Sequence, residues 1–143
     1  VKHETVPIQD AEAAEHLRIS VGDNVLQNHL HYLADGRPAI VTVGSMPSAL
    51  LVRDDLKEED FAHVHVLISK YMHRDLAHSL NEYCPLGLPE ELAPVFNLEP
   101  GTPIIGSKQT FYDVQDNPVL YNNHYFYPNL YRVKALQNWD LGK

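Results

Sequence analysis

Hydrophobic and polar residues alternate along two stretches near the C-terminus, and this alternation predicts a β-hairpin. β-Branched and aromatic residues are frequent in Pro103–Asp113 and in Pro118–Tyr127, and the polar segment Val114–Asn117 separates the two stretches. Upstream, Leu88–Glu91 places a proline and acidic residues where the first turn of a helix favours them. We therefore expect a helix that ends near Gly101, then a long strand, a tight turn and a second long strand.

The same order of elements occurs earlier in the chain. Gly22 and Gly101 lie 79 residues apart, and Pro38 and Pro118 lie 80 residues apart. The earlier elements are a helix at Ala11–Leu17, a strand at Asn24–Leu33, the turn Ala34–Arg37 and a strand at Pro38–Met46. A spacing this long indicates two copies of one supersecondary unit within a domain, since solenoid repeats are shorter. The predicted fold class is α+β, with a central antiparallel sheet built from two helix–hairpin units.

Other patterns predict the remaining elements. Pro7 marks Thr5–Ile8 as a short edge strand. Apolar residues recur at helical spacing in Glu58–Tyr71, which predicts a helix flanking the sheet. Arg74–Tyr83 alternates as a strand that Cys84–Gly87 breaks, and Tyr131–Leu136 has the composition of a last strand.

Length and charge narrow the classes of function. The 143 residues suit a single domain with its own core. The formal net charge of −8 opposes nucleic-acid binding by this chain alone, because phosphate contacts need a basic face. A single cysteine, Cys84, and the lack of a membrane span or signal peptide favour a cytoplasmic protein. Because the first residue is Val1, we expect a partner domain upstream.

Catalytic and metal-binding signals are weak. His29 and His31 share one face of a strand and could supply two metal ligands, but a third is not evident, and ordinary polar roles are favoured. Cys84 precedes a proline without a catalytic signature, and the glycines form no phosphate-binding loop. We expect no metal, no cofactor and no enzymatic activity.

The last hairpin strand carries the clearest candidate for a binding surface. Alternation places Leu120, Asn122, His124 and Phe126 on one face, and each face mixes aromatic with hydrogen-bonding groups. Polar residues of the neighbouring strands join them: Asn28, Tyr32, Thr42, Ser107 and Gln109. Aromatic walls with a few convergent polar groups are typical of a small-molecule site. Cross-strand packing pairs would give the same pattern.

Several ordered motifs resemble one known family. They are Gly22-Asp23, the Leu-Ala-Asp-Gly-Arg-Pro segment at Leu33–Pro38, Met46-Pro47, Gly101–Ile105 and Asp116–Tyr121. Together they resemble the UTRA domain, the effector-binding domain of GntR-type transcriptional regulators of the histidine-utilisation repressor subfamily. The resemblance implies a chorismate lyase-like fold, a ligand pocket on one face of the sheet and a homodimer. It also implies operator DNA binding through an upstream winged helix-turn-helix.

The resemblance also predicts which residues line the pocket. Members that bind phosphorylated amino sugars carry arginines and glutamates at positions that are uncharged here: Leu30, Tyr32, Thr42, Gln109 and Leu120. The predicted site comprises Tyr32, Thr42, Gln109, Asn122, His124 and Phe126, with Arg74 at its edge. We expect a neutral or singly charged effector, since the bidentate anion clamp is missing. His124 would make recognition pH-dependent near neutrality if its pKa stays near 6.5.

Two other functions remain open from the sequence. One is an enzyme with a chorismate lyase-like fold, which would need cationic groups to hold a dicarboxylate. The other is a dimerisation module whose pocket is vestigial, as the lost charged contacts would allow.

Overall fold

Six antiparallel strands form one sheet, with the order β1-β2-β3-β6-β5-β4. A computed structural model describes residues 2–129 and 134–139. The strands are β1 (Lys2–Pro7), β2 (Asn24–Ala34), β3 (Arg37–Pro47), β4 (Leu76–Gly87), β5 (Pro103–Asp113) and β6 (Pro118–Phe126). The helices are α1 (Ala11–Leu17), α2 (Val64–Met72) and α3 (Ala93–Phe96), and short 3-10 turns lie at Ser48–Leu50, Glu58–Ala62 and Glu90–Leu92.

The two predicted hairpins meet at the centre of the sheet. β2 pairs with β3, β5 pairs with β6, and β3 pairs with β6, so that Thr42 faces His124 and Gly44 faces Asn122. The α+β class and the single antiparallel sheet are therefore confirmed. Superposition of the two helix–hairpin units stays a prediction.

Local chemistry fixes both hairpin turns. Asp35 and Gly36 have φ values of 52° and 78°, the left-handed pair that a two-residue type I′ turn requires. In the second hairpin, the Asp113 carboxylate accepts hydrogen bonds from the backbone N–H groups of Gln115 and Asn117, each at 2.9 Å. Both turns set the register of the strands they join.

The helices cover the two faces of the sheet differently. The Asp10 carboxylate caps α1 by accepting the backbone N–H of Glu12 at 3.0 Å. α1 packs with Tyr121 of β6, and α3 packs with Val41 of β3, so both helices cover the same face. α2 and the 3-10 turn before it cover the opposite face, where Leu67 and Tyr71 are buried. The candidate site lies on the α2 side.

Two predicted elements differ in extent from those observed. The predicted helix Glu58–Tyr71 is divided at His63, whose extended backbone separates a 3-10 turn from α2. The His63 carbonyl accepts the backbone N–H of Val66 and Leu67, so it starts the second helix anew. The predicted helix ending near Gly101 stops at Phe96 instead, because Asn97 adopts a left-handed conformation (φ 54°).

Both outer strands are longer than predicted. β1 begins at Lys2 rather than Thr5. β4 continues through Cys84–Gly87, which still pairs with β5, instead of ending at Tyr83. Pro85 is tolerated there because β4 lies at the edge of the sheet, where one side of the strand needs no backbone donor. Within the predicted strand Tyr131–Leu136, residues 131–133 lie outside the described residues, and residues 134–136 form no strand.

Candidate functional site

A cavity of about 110 Å³ lies between the sheet and the segment that contains α2. Its hydrogen-bonding residues come from four strands: Asn28, Tyr32, Thr42, Gln109, Asn122 and His124. Its apolar residues come from the sheet and from the α2 segment: Leu30, Phe61, Ala62, Val64, Leu67, Phe111 and Leu120. The cavity thus has a polar floor on the sheet and an apolar wall on α2.

Five of the seven site residues predicted from the sequence line this cavity, namely Tyr32, Thr42, Gln109, Asn122 and His124. Their contact with a ligand stays a prediction. Phe126 is on the same strand face as His124, with ring centroids 6.3 Å apart, but it lies outside the lining.

Arg74 also lies outside the lining, although the sequence prediction placed it at the edge of the site. Its Nη1 donates to Oδ2 of Asp113 at 2.8 Å. Arg74 follows the left-handed residue that ends α2, His73, and this position puts it beside the turn between β5 and β6. Its charge is therefore engaged in fastening that turn.

A row of carboxamides crosses the polar floor. Asn28, Gly44, Asn122 and Gln109 lie opposite one another on the adjacent strands β2, β3, β6 and β5. A Cβ atom on Gly44 would lie 2.5 Å from Oδ1 of Asn122 and 2.9 Å from both amide atoms of Asn28. Asn28 and Asn122 thus converge over Gly44 and occupy the space that any other residue would fill.

A chain of hydrogen bonds runs beside this row. Oγ1 of Thr42 lies 2.8 Å from Nδ1 of His124, and Nε2 of His124 lies 3.0 Å from Oε1 of Gln109. Nε2 of Gln109 donates to Oγ of Ser79 at 3.0 Å. Since the amide oxygen of Gln109 only accepts, His124 carries its proton on Nε2 and accepts from Thr42.

Burial lowers the pKa of His124 to about 4. The imidazole is therefore neutral at physiological pH. The condition for pH-dependent recognition near neutrality, a His124 pKa that stays near 6.5, is therefore not met.

Two buried side-chain oxygens on this face of the sheet have no hydrogen-bond partner within the described part of the chain. They are Oδ1 of Asn122, at the cavity, and Oγ of Ser107, whose residue pairs with His124 in the strand register. An unsatisfied buried acceptor costs free energy, so such atoms commonly mark a place where a ligand or water completes the bonding.

A second polar cluster fastens the apolar wall. Oδ2 of Asp60 accepts hydrogen bonds from the Tyr71 hydroxyl at 2.6 Å and from Nζ of Lys70 at 2.9 Å. The backbone N–H of Lys57 donates to the same tyrosine hydroxyl at 3.0 Å. These bonds tie the 3-10 turn carrying Phe61 to α2.

The cavity lining contains apolar residues that the sequence prediction did not assign to the site, including Phe61 and Leu67 of the wall and Phe111 of β5. Phe61 and Leu67 belong to the helical apolar pattern of 58–71, which identified them only as core residues. Ala62 and Val64 of the same segment also line the cavity.

The histidine pair forms no metal centre among the described residues. His29 and His31 lie on the strand face opposite the cavity, and the described residues contain no group of three possible metal ligands. Burial, followed by the neighbouring His31, lowers the pKa of His29. In the described part of the chain, no helix is both long and apolar enough to cross a membrane.

Comparison with known proteins defines the class first. A GntR-family transcriptional regulator from Bacillus cereus superposes on this chain with a TM-score of 0.80 at 18% sequence identity. The match covers 96% of this chain and 95% of that one. A GntR-family regulator from Enterococcus faecalis V583 gives a TM-score of 0.79 at 16% identity, covering 96% and 97% of the two chains. At these identities the similarity establishes the fold.

The family follows from the sequence itself. The UTRA domain matches residues 1–132, and the chain belongs to the UTRA domain family. It is a ligand-binding regulatory domain of a transcription regulator. No curated protein gives a significant match.

Proposed function

We propose that the cavity between the sheet and α2 is the effector site of this domain, and that its occupancy controls operator binding by an upstream winged helix-turn-helix. The observation that carries the proposal is the convergence of hydrogen-bonding groups from four strands on one cavity, where the buried Oδ1 of Asn122 has no donor among the described residues. A polar floor under an apolar wall is the arrangement that orients small molecules.

The α2 segment is the part of the site best suited to respond to an effector. Its wall residues are held by the Asp60–Tyr71 contact rather than by sheet pairing, so the wall can shift without breaking the sheet. A shift of α2 would reach the β5–β6 turn through Arg74, whose guanidinium bonds Asp113 at that turn. This route is our hypothesis for the signal.

The finer fold description also belongs to this proposal. We infer a chorismate lyase-like arrangement of two helix–hairpin units, supported by α1 packing on β6 and α3 packing on β3. Each helix thus packs on the inner strand of the other unit. Membership of the histidine-utilisation repressor subfamily and a cytoplasmic location are parts of the same hypothesis.

A homodimer is the assembly we propose. β4 forms one edge of the sheet and exposes 66% of Leu80, which supports contact with a second copy along this strand. Light scattering coupled to size-exclusion chromatography would measure the mass, and a monomer at micromolar concentration would contradict the dimer.

The proposed division of effector binding and DNA binding between two domains gives a separate test. With a net charge of −8, this chain alone should not bind duplex DNA at physiological salt. Specific operator binding by these 143 residues in a gel-shift assay would contradict the proposed division.

An enzymatic role is the rival hypothesis. A lyase of this fold would need cations to hold a dicarboxylate, whereas the side chains that line the cavity are uncharged at neutral pH. This difference favours effector binding over catalysis.

The effector site is tested by screening small metabolites in a thermal-shift assay and then measuring affinity by calorimetry. We expect Asn122→Ala and Gln109→Ala each to weaken binding at least tenfold. The first removes an acceptor offered to the effector, and the second leaves Nε2 of His124 unsatisfied. Asn123→Ala, on the opposite strand face, and the exposed Gln115→Ala are matched controls. If both cavity variants remain folded and bind like the parent chain, the effector binds elsewhere.

A further inference from the structure

We propose that the cavity binds the uncharged, carboxamide-like head group of the effector. Such a group is planar and carries an N–H donor beside a carbonyl acceptor, as a primary amide, a lactam, a urea or a pyrimidine-type ring does. The inference rests on the proposed effector site and adds the chemical class of its ligand.

The charge of the cavity lining favours an uncharged ligand. Among the described residues, the lining contains no carboxylate, ammonium or guanidinium group, and His124 is neutral because it is buried. The nearby cation Arg74 is already paired with Asp113. A carboxylate or phosphate entering this space would lose its hydration without gaining an opposite charge, which is strongly unfavourable. An uncharged head group avoids that cost.

The amide groups on the cavity floor favour a ligand with a hydrogen-bond donor beside an acceptor. Oδ1 of Asn122 is buried and has no donor in the described part of the chain, so the ligand must present an N–H or O–H group to it. The amide group of Asn28 meets that of Asn122 over Gly44 and offers both a donor and an acceptor beside the same space. A head group with adjacent donor and acceptor matches this pair, whereas an ether or a hydrocarbon leaves Oδ1 unsatisfied.

The size and shape of the cavity favour a compact, planar head group. The cavity of about 110 Å³ is smaller than an engineered cavity of about 150 Å³ that holds benzene, so it admits one compact group. Phe61 and Phe111 supply apolar surface against which a planar group can pack. Tyr32 and Ala62 are the exposed residues of the lining, so they mark the mouth through which the rest of the ligand extends.

The test uses matched pairs of probes that differ in charge but hardly in shape. The pairs are nicotinamide with nicotinate and propionamide with propionate, together with inorganic phosphate as a simple anion. Each is titrated into the ¹⁵N-labelled 143-residue chain, and the side-chain NH₂ resonances of Asn28, Asn122 and Gln109 are followed by NMR. We expect the amides to shift these resonances at concentrations at least tenfold lower than the carboxylates.

Two variants locate the response. Asn122→Leu replaces the acceptor and donors of the side chain with a larger apolar group, and should abolish the amide-specific shifts of Asn28. Asn123→Leu, the next residue on the opposite strand face, should leave them unchanged. Backbone spectra of both variants report whether the fold is retained.

The outcomes separate the two hypotheses. If nicotinate or phosphate shifts the cavity resonances as readily as nicotinamide, and Asn122→Leu removes the effect, the head-group inference is overturned while the effector site stands. If no probe shifts these resonances at any concentration up to solubility, the site and the inference both fail.

Discussion

Oγ1 of Thr42 and Nδ1 of His124 lie 2.8 Å apart across the central strand pair β3–β6. This contact joins the two hairpins at the floor of the cavity. Because Nε2 of His124 is bonded to Gln109, both ring nitrogens are used by uncharged partners. The imidazole is thus held in place without being charged.

The state of His124 leads to a prediction about stability and pH. Its pKa of about 4 in the folded chain lies below the 6.5 of the unfolded chain, so the unfolded state takes up the proton first as pH falls. The stability that the neutral ring provides is complete above about pH 6.5 and is lost as pH falls toward 4, a change of roughly 3 kcal/mol. Urea denaturation at pH 7 and pH 4.5 measures it.

A variant that lacks only His124 isolates this contribution. His124→Gln retains a polar partner for Thr42 and should reduce the difference in unfolding free energy between the two pH values. The exposed His65→Gln serves as control and should retain the parent difference. Equal pH dependence in His124→Gln and the parent chain would contradict the lowered pKa.

A second prediction concerns the unpaired acceptor of Asn122. Asn122→Leu should raise the unfolding free energy of the ligand-free chain by about 1 kcal/mol, because it removes a buried carbonyl that has no donor within residues 2–129 and 134–139. The adjoining cavity gives the larger side chain room. Equilibrium denaturation at pH 7 measures the change. A variant less stable than the parent chain would indicate that the amide already makes favourable contacts.

Part of the polar floor follows from parity, because alternate residues of one strand share a face. Asn122 and His124 share a face once β6 is recognised as a strand, whatever surrounds them. Thr42 and Gln109 lie on other strands, and the family resemblance assigned them to the same pocket. The fold class was predictable for a similar reason, since the turns at Asp35-Gly36 and at Asp113–Asn117 have local signatures.

Tertiary contacts could not be predicted from the local sequence. The apolar spacing of 58–71 identified a buried face but not that Phe61 and Leu67 would cover the cavity floor. Neither the pairing of Arg74 with Asp113 nor the lowered pKa of His124 follows from local sequence. Both depend on which segments lie next to each other in the folded chain.

Gly44 offers a third prediction. Its backbone lies in an ordinary strand conformation, so alanine is allowed there, but the new Cβ would lie 2.5 Å from Oδ1 of Asn122. We expect Gly44→Ala to fold with a loss of about 1–3 kcal/mol of stability, typical of overpacking, and to displace both amides. Ligand affinity should fall at least tenfold in calorimetry. Ser45→Ala, one residue along β3 on the opposite face, should bind like the parent chain.

The fourth prediction concerns the wall of the cavity. Tyr71→Phe removes the hydroxyl that bonds Asp60 and the Lys57 N–H but keeps the buried ring. We expect amide hydrogen exchange to accelerate in residues 57–62 while the sheet remains protected, because this bond fastens the turn to α2. Exchange measured by mass spectrometry distinguishes the two regions. Equal protection of residues 57–62 in variant and parent would show that packing of Phe61 alone holds the wall.

The last prediction separates a structural from a ligand-binding role for Arg74. Although burial alone would raise the pKa of Asp113, hydrogen bonds from Asn117, Arg74 and Gln115 lower it. The resulting stability is present above the unfolded pKa of about 3.8 and is lost as pH falls below that value.

Arg74→Met should cost on the order of 1 kcal/mol of unfolding free energy at pH 7, because Asp113 keeps its backbone partners and Arg74 is partly exposed. Ligand affinity measured by calorimetry should stay within twofold of the parent value, since the guanidinium lies outside the cavity lining. A tenfold weaker affinity in a folded Arg74→Met chain would indicate that Arg74 takes part in ligand binding.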